Sequence, residues 1–441
     1  MSFSLKQYHY PMNIRSVYCT LLLSVMLSIA MSCRKPEAAV AGDGFVKVSD
    51  GRFEIDGRPY EYIGTNFWYG AVLASDGSGG DRARLHRELD LLDSAGVSNL
   101  RILVGAEGRE GIPSHISPVL QTSPGVYNDT LLRGLDYLLS ELEKRDMKAV
   151  LYLGNAWEWS GGYAAYLEWA GKGEAPVPSV DGWPRFMEYV SQFVFSDSAK
   201  AMYADHVRYI VGRENSVTGR KYSDSPAIMS WQIANEPRAF SEAGKKPFAE
   251  WIEATAALIK SIDPAHLVSV GSEGSHGCES DLELWTQIHR SDNIDYATMH
   301  LWPYNWGWVT ECNLADSVDI AVANAKEYVG NHVRAAKQIG KPLVLEEFGY
   351  PRDGFQFAEN TPVTGRDRFY DKMFEMVAND SVICGCNFWA WGGYGSPAHT
   401  EWQPGDNYCG DPAQEQQGLN SVFATDSTTI ALIRKYTKEM F

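Results

Sequence analysis

Ile228-Met229-Ser230-Trp231-Gln232-Ile233-Ala234-Asn235 is a short, mostly apolar run that stops at Glu236-Pro237, and a helical pattern follows over Phe248–Ile262. A short β-rich run of this length bounded by loop residues reads as a strand. The same unit recurs along the chain. Seven further runs stand at Tyr60–Asn66, Asn99–Val104, Lys148–Gly154, Leu267–Gly271, Ile294–His300, Pro342–Phe348 and Ile383–Trp389. Helical patterns lie between runs at Asp81–Ser94, Leu131–Arg145, Ala199–Val211, Val318–Ile339 and Arg366–Val377. Eight strands alternating with helices predict an α/β fold, a single (β/α)8 TIM barrel rather than two domains. The alternative is an open doubly wound sheet, but no GxGxxG turn follows the first run. Gly77-Ser-Gly-Gly80 lacks the Lys-Ser/Thr of a phosphate cradle and reads as a loop. Phe45–Tyr60, with Asp-Gly at 50–51 and 56–57, predicts an N-terminal β-hairpin. The Gly-, Pro- and Trp-rich stretch from about Ala156 to Ser198 predicts a long βα loop at the C-terminal face of the strands, where such loops shape clefts.

The 441 residues carry 39 Lys+Arg against 56 Asp+Glu, a formal net charge of −17. That balance argues against nucleic acid or an anionic membrane surface as a partner, since both need a basic face. Apolar residues at 44% supply a large core, and charged residues at 22% argue against wholesale disorder. The 14 Trp and 23 Tyr pose a sharper question: they are either core filler or a platform for something flat and polar.

Residues 1–33 read as a lipoprotein signal peptide. Arg15 supplies the positive region, Val17–Ala30 the apolar one, and Ala30-Met31-Ser32 precedes Cys33. The expectation is export, with Cys33 lipid-anchored to a bacterial membrane at the cell surface or in the periplasm. A plain secretory signal is the alternative, and the start falls at Met1 or Met12. A linker at 34–43 leads to the domain at 44–441. Beyond Cys33 stand Cys278, Cys312, Cys384, Cys386 and Cys409, an odd number that leaves at least one thiol free. Cys384-Gly-Cys386 is too tight for a zinc pair.

In parallel barrels the reacting groups emerge at the C-terminal ends of strands. The fourth run ends in Asn235-Glu236-Pro237 and the seventh in Glu346-Glu347-Phe348-Gly349. Two carboxylates flanking a sugar supply an acid and a nucleophile, the minimum for glycosidic cleavage. A separation of ~5–5.5 Å gives retention of anomeric configuration, and a wider one gives inversion. No His-Glu-x-x-His, paired Cys-x-x-Cys or calcium-loop pattern occurs, so neither metal nor cofactor is expected.

On these two motifs the sequence resembles glycoside hydrolase family 5 over nearly all of the chain from Phe45 onward. Finer segments resemble its β-mannanase branch, subfamily seven: Gly64-Thr-Asn-Phe-Trp-Tyr69, Trp157-Glu-Trp-Ser-Gly-Gly162, Ile228 to Arg238, Gly271-Ser-Glu-Gly274, His300-Leu-Trp-Pro303 and Glu346-Glu-Phe-Gly-Tyr-Pro-Arg352. The resemblance implies roles. Glu236 matches the acid/base and Glu347 the nucleophile. Glu346 is the structural alternative, which strand alternation would point to the opposite face. Asn235 matches the residue that binds the sugar 2-hydroxyl. Arg101 matches the cation that keeps the nucleophile ionised, His300 the imidazole beside the acid/base, and Trp389 the floor of the cleaved subsite. Trp302 stands where many members have a Tyr bonded to the nucleophile, and Asn155-Ala156 where many have a His. Both departures fit the mannanase branch better than a cellulase. His276 reads as structural or a subsite contact. Glu107, Glu158, Glu273 and Glu311 read as substrate contacts or solvated loop residues.

The implied function is retaining cleavage of β-1,4-mannosidic bonds in mannan, glucomannan or galactomannan, as by a mannan endo-1,4-β-mannosidase. An exo-acting β-mannosidase or a β-1,4-glucanase stays open, the exo mode because a long loop at 156–198 or Pro397–Gln417 would wall off one end of a cleft. A catalytically dead glycan-binding lipoprotein is the reading from another class. The expected partner is an uncharged mannan-type polysaccharide or oligosaccharide, with membrane contact only through the lipid anchor, and the chain is expected to be a monomer. Eight tryptophans, Trp68, Trp157, Trp159, Trp302, Trp306, Trp308, Trp389 and Trp391, fall at or just past strand ends. That bias favours a sugar-stacking cleft over core filler; Trp231, inside its run, reads as packing.

Overall fold

The computed structural model describes residues 42–440, together with Met1, Ser2 and Ser4. The expected signal with Cys33, and nearly all of the expected linker, lie outside the described residues. From Gly44 onward the chain is one compact unit.

Its centre is eight parallel strands: β1 (Tyr62–Asn66), β2 (Asn99–Leu103), β3 (Lys148–Tyr152), β4 (Ile228–Gln232), β5 (Leu267–Ser269), β6 (Ala297–Leu301), β7 (Leu343–Phe348) and β8 (Ile383–Phe388). Every residue of these strands is buried, which is why they read as continuous apolar runs rather than alternating ones. The ladder runs β5-β4-β3-β2-β1-β8-β7-β6. Between β5 and β6 two bonds draw the edges together: Asp295 N–H donates to Val268 O (2.8 Å) and His300 N–H to Glu273 O (3.1 Å). The sheet is therefore nearly closed into the expected α/β barrel.

The main outer helices are α1 (Arg82–Ser94), α2 (Asp129–Lys144), α3 (Asp197–Val211), α4 (Lys245–Ile262), α5 (Leu282–His289), α6 (Val318–Ile339), α7 (Thr364–Asn379) and α8 (Ser427–Met440). Side-chain caps fix where several begin. Asp81 accepts from Arg84 N–H, Asn128 from Thr130 N–H, Ser196 from Ala199 N–H and Asp281 from Leu284 N–H.

The N-terminal segment departs from the expected hairpin. It is a three-stranded meander, Val46–Ser49, Arg52–Ile55 and Arg58–Pro59. Both Asp-Gly turns have positive φ at both residues: 49° and 73° at Asp50 and Gly51, 53° and 76° at Asp56 and Gly57. That is the turn geometry that matches strand twist. Val46 and Phe53 pack with Tyr62, Val150, Leu267, Tyr296 and Val344 in an apolar layer separate from the main core. The meander thus plugs the barrel on the side opposite the strand tips.

Two long segments shape the other face. The stretch expected as a βα loop holds helices Gly162–Trp169, Pro178–Asp181 and Trp183–Val190. Tyr163 stacks on Phe193 within the insertion (4.0 Å between centroids), and both meet Trp251 of α4 edge-on (5.6 and 5.1 Å), which anchors the insertion to the barrel wall. The second segment, 394–421, follows β8. Its Asp411 carboxylate accepts from Asn420 N–H (2.9 Å) and Ser421 N–H (3.1 Å), while buried Arg366 donates to Ser421 O (2.8 Å) and Leu419 O (2.9 Å). All five cysteines beyond the N-terminal segment are unpaired thiols, and only Cys312 is exposed.

Candidate active site

The tip of β4 is held from both sides. Asn235 N–H donates to Gly154 O (2.8 Å) after β3, and Glu236 N–H to Gly271 O (2.9 Å) after β5. Glu236 has φ of 47°, a left-handed backbone that costs a glutamate about 1–2 kcal/mol. Such strain persists where the surroundings fix it, as at reacting centres.

The tip of β7 carries a β-bulge. Met299 pairs with Leu345, and the next residue, His300, pairs with Glu347, so Glu346 is the extra residue. Alternation alone had pointed Glu346 to the outer face. The bulge overturns that: Glu346 turns into the barrel interior, where Gln232 Nε2 donates to both of its oxygens (2.8 Å each). Glu347 stands at the mouth.

Around Glu347 three donors converge. Arg101 Nη1 donates to Oε1, Trp302 Nε1 donates to Oε2 (3.2 Å), and His300 Nδ1 lies 3.3 Å from Oε2. Arg101 is itself buried, with Nε donating to Gln232 Oε1 (2.7 Å), Nη1 to Asn66 Oδ1 (3.0 Å) and Nη2 to Asn235 Oδ1 (2.9 Å). Across the mouth, Glu236 Oε1 accepts from His300 Nδ1 (2.7 Å) and Oε2 from Trp157 Nε1 (2.5 Å). Ligand-type atoms of Glu236, His300 and Glu347 all lie within 4.8 Å of one another. The two carboxylates are therefore at the separation of a double displacement, well short of the ~6.5–9.5 Å that admits a water between them.

These groups titrate as one unit. Burial disfavours charge on His300, but the Glu347 charge and the hydrogen bond to Glu236 outweigh it and raise the imidazole to about 10. Burial pushes Glu347 up to about 7 against the opposing charges of His300 and Arg101. For Glu236, burial is more than offset by the hydrogen bond and charge of His300, and its carboxyl is held below its ordinary value. In the empty cleft an exchangeable proton thus sits on His300, one hydrogen bond from Glu236.

The cleft has a volume of about 890 Å³ and includes Glu236, Glu347, Asn235, Trp157, Trp302 and Trp389 in its lining. Of the eight strand-end tryptophans, Trp159 and Trp306 line it as well. Three do not. Trp68 is buried, donating through Nε1 to Gly410 O (2.8 Å), and Trp391 is fully buried. Trp308 packs edge-on against Trp306. The expectation that Trp68 and Trp391 contact substrate is thereby corrected: both are buried away from the cleft, Trp68 beneath Tyr408 and Gly410 of the 394–421 segment. Trp231 is core, its Nε1 donating to Asp263 (2.8 Å). His276, Glu158, Glu273 and Glu311 reach the cleft, whereas Glu107 is buried elsewhere against Gly162 N–H and Tyr166. Lining residues to which the sequence assigned no role include Trp183, Arg238, Gln414 and Glu415. Arg238 directly follows Asn-Glu-Pro and could have been suspected; the other three belong to no motif.

Among the described residues, Glu236, His300 and Glu347 are the one cluster with the spacing for a metal ion. The donors do not suit one. Arg101 already occupies Glu347 with a fixed positive charge, and His300 Nδ1 carries a proton toward Glu236.

A barrel with two carboxylates at this spacing on β4 and β7, over an aromatic floor, defines a glycosidase of the retaining type. A family model described as GH family 5 beta-mannosidase-like matches residues 43–441, and the chain belongs to glycoside hydrolase family 5. It is 30% identical over 390 residues to putative mannan endo-1,4-beta-mannosidase 9 of Oryza sativa subsp. japonica, covering 83% of this chain and 86% of that one. Mannan endo-1,4-beta-mannosidase 5 of Solanum lycopersicum is 28% identical over 394 residues, 85% of this chain and 88% of the other. A family 5 mannosidase from Rhizomucor miehei, solved with mannosyl-fructose, superposes with a TM-score of 0.83 at 34% identity, covering 90% of this chain and 97% of that one.

Proposed function

We propose that this glycosidase cleaves β-1,4-mannosidic bonds in mannan, glucomannan or galactomannan with retention, with Glu347 as nucleophile and Glu236 as acid/base. One observation carries the mechanism: carboxylate oxygens of Glu236 and Glu347 within 4.8 Å across the cleft. The mannan preference draws on the relatives, which are mannan endo-1,4-beta-mannosidases, and on the tryptophan-lined groove.

Glu347 attacks the anomeric carbon of a sugar lying over Trp389. The bond from that carbon to the leaving oxygen breaks as Glu236 delivers its proton to the oxygen. A mannosyl ester on Glu347 results. Glu236, now a carboxylate, takes a proton from water, the water oxygen bonds to the anomeric carbon, and Glu347 leaves. Two inversions give net retention. Arg101 and Trp302 stabilise the departing carboxylate; His300 lends Glu236 the proton it delivers in the first step and takes back the one Glu236 gains from water in the second. Asn235, held by Arg101 Nη2 and donating to Asn155 Oδ1 (3.2 Å), presents its amide toward the 2-hydroxyl.

The test is incubation of the purified chain with linear mannan, galactomannan and cellulose. Mannose or manno-oligosaccharides are expected from the first two and little from cellulose. No release from either mannan would end this reading. The further proposal is that the chain acts as a monomer, exported and held to a bacterial membrane through a lipid on Cys33. Labelled palmitate should enter the wild type and be lost in Cys33→Ala; retention of label would exclude the anchor.

A further inference from the structure

Glu236 is gripped at both carboxylate oxygens, by two donors of unlike chemistry. His300 Nδ1 holds Oε1 (2.7 Å) and Trp157 Nε1 holds Oε2 (2.5 Å). An imidazole passes its proton on and takes one back. An indole N–H only donates and has no lone pair to accept with. The two oxygens are therefore not equivalent. Oε1 faces a group that can supply a proton, and Oε2 faces one that can neither supply nor receive it.

The indole is held in this position from several sides. Trp157 N–H donates to Asn155 Oδ1 (3.1 Å), and the same oxygen accepts from Asn235 Nδ2 (3.2 Å). Ala156 N–H donates to Asn235 O (3.0 Å). The turn that carries Trp157 is thus tied to the residue just before Glu236. The loop that follows Glu236 turns back onto the ring: Arg238 Cζ lies over it, 5.2 Å from its centroid, and Phe240 stands perpendicular to it at 5.5 Å. Trp183, from the insertion, does the same at 5.8 Å. Arg238 is fixed in turn, with Nε and Nη2 both on Glu273 Oε2 (2.6 and 2.5 Å), and Glu273 is buried. A guanidinium over an indole face is attracted to it. With that face covered, the ring serves Glu236 through its N–H.

We propose, resting on the mannoside-hydrolase reading above, that Trp157 is a positioning residue for proton delivery: its N–H pins Glu236 Oε2 and leaves Oε1, the oxygen shared with His300, to carry the proton, while the Arg238–Glu273 pair clamps the indole in place. The proton passes from His300 Nδ1 to Oε1, and from Oε1 to the leaving oxygen. The bond from that oxygen to the anomeric carbon breaks, and its electron pair stays on the oxygen. No proton leaves the indole. Without the N–H, the carboxyl is free to turn about its Cγ–Cδ bond. The carboxylate left after transfer also lacks one donor, so Glu236 becomes a weaker acid. Both effects slow the departure of leaving groups that need a proton and spare those that do not.

The experiment compares phenyl, 4-nitrophenyl and 2,4-dinitrophenyl β-mannosides, whose leaving groups need a proton in decreasing degree. Trp157→Phe keeps an aromatic ring and removes the N–H. Its kcat/KM should fall at least about tenfold on the phenyl mannoside and less than about twofold on the 2,4-dinitrophenyl one. Arg238→Met should show the same gradient with a smaller loss, and Arg238→Lys, which keeps the charge, should restore part of it. Melting temperatures report whether each variant is folded; should Trp157→Phe fail to fold, the gradient in Arg238→Met decides. An equal loss on all three substrates in a folded variant would make Trp157 a packing or substrate-contact residue and overturn the proposal. So would no loss on any of them, and both results leave the mannoside reading intact. Failure of the wild type on every mannoside would overturn that reading and this one with it.

Discussion

The wall of the cleft at β7 and the wall at β4 each hold one carboxylate by an indole N–H and a basic group, yet the basic groups differ in kind. Glu347 is bonded directly by Arg101, whose guanidinium keeps its charge at any working pH, with His300 standing farther off at 3.3 Å. Glu236 faces His300, whose imidazole exchanges its proton. A fixed cation suits a group that must stay negative until it attacks. A titratable neighbour suits a group that must hold a proton, give it up and regain it. The two walls therefore assign the roles on chemistry, apart from any motif.

Removing each carboxylate is the strongest way to break that contrast. Glu347→Ala should lose activity by on the order of 10⁵-fold, the scale seen when a nucleophile is deleted. Added azide should then yield the α-mannosyl azide, attacking from the face Glu347 has vacated. Glu236→Ala should lose roughly 10²–10⁴-fold, with least damage on substrates whose leaving group needs no proton, and azide should give the β-product. Exchange of these two azide outcomes would reverse the assignment.

Substituting the basic partner probes the contrast more gently. Arg101→Gln removes a positive charge that favours ionised Glu347, so the Glu347 pKa rises further. The reaction needs that group ionised, so its ionised fraction at any given pH falls and the acid limb of kcat/KM moves to higher pH. A profile that stayed in place would mean that Arg101 only packs. Smaller still, Trp302→Phe deletes one hydrogen bond to Glu347 and should cost about 2–10-fold in kcat. Least of all on rate, Trp68→Phe removes the bond to Gly410 O and part of the ring packed on Tyr408 and Trp159. It should lower the melting temperature by a few degrees and leave kcat on 4-nitrophenyl β-mannoside nearly unchanged.

The barrel was legible because each strand is buried on both faces and each expected run overlaps its strand. Ile294–His300 drifted by a few residues, since Ile294 and Tyr296 extend the apolar pattern but lie outside β6. The short α5 and the C-terminal α8 were not read. The hairpin became a meander because Arg58–Pro59, too short and polar to read as a strand, pairs with Glu54 and Ile55. Within the site, Arg101, Asn235, Glu236, His300 and Glu347 were readable from strand-end position together with family resemblance. What lay beyond reading came from folding at a distance. The orientation of Glu346 depends on a bulge set by the neighbouring strand. Trp68 sits at a strand end like Trp389, and only the path of the 394–421 segment covers it. Gln414 and Glu415 reach the cleft by that same path, which no local pattern encodes.

The account turns on Glu347 forming a bond to sugar, and trapping it is the direct measurement. A 2-deoxy-2-fluoro-β-mannosyl fluoride, incubated with the wild type and digested for peptide mass spectrometry, should leave one fluoromannosyl group on Glu347. An adduct on Glu346 or Glu236, or no adduct together with α-mannose as the first product by NMR, would contradict it.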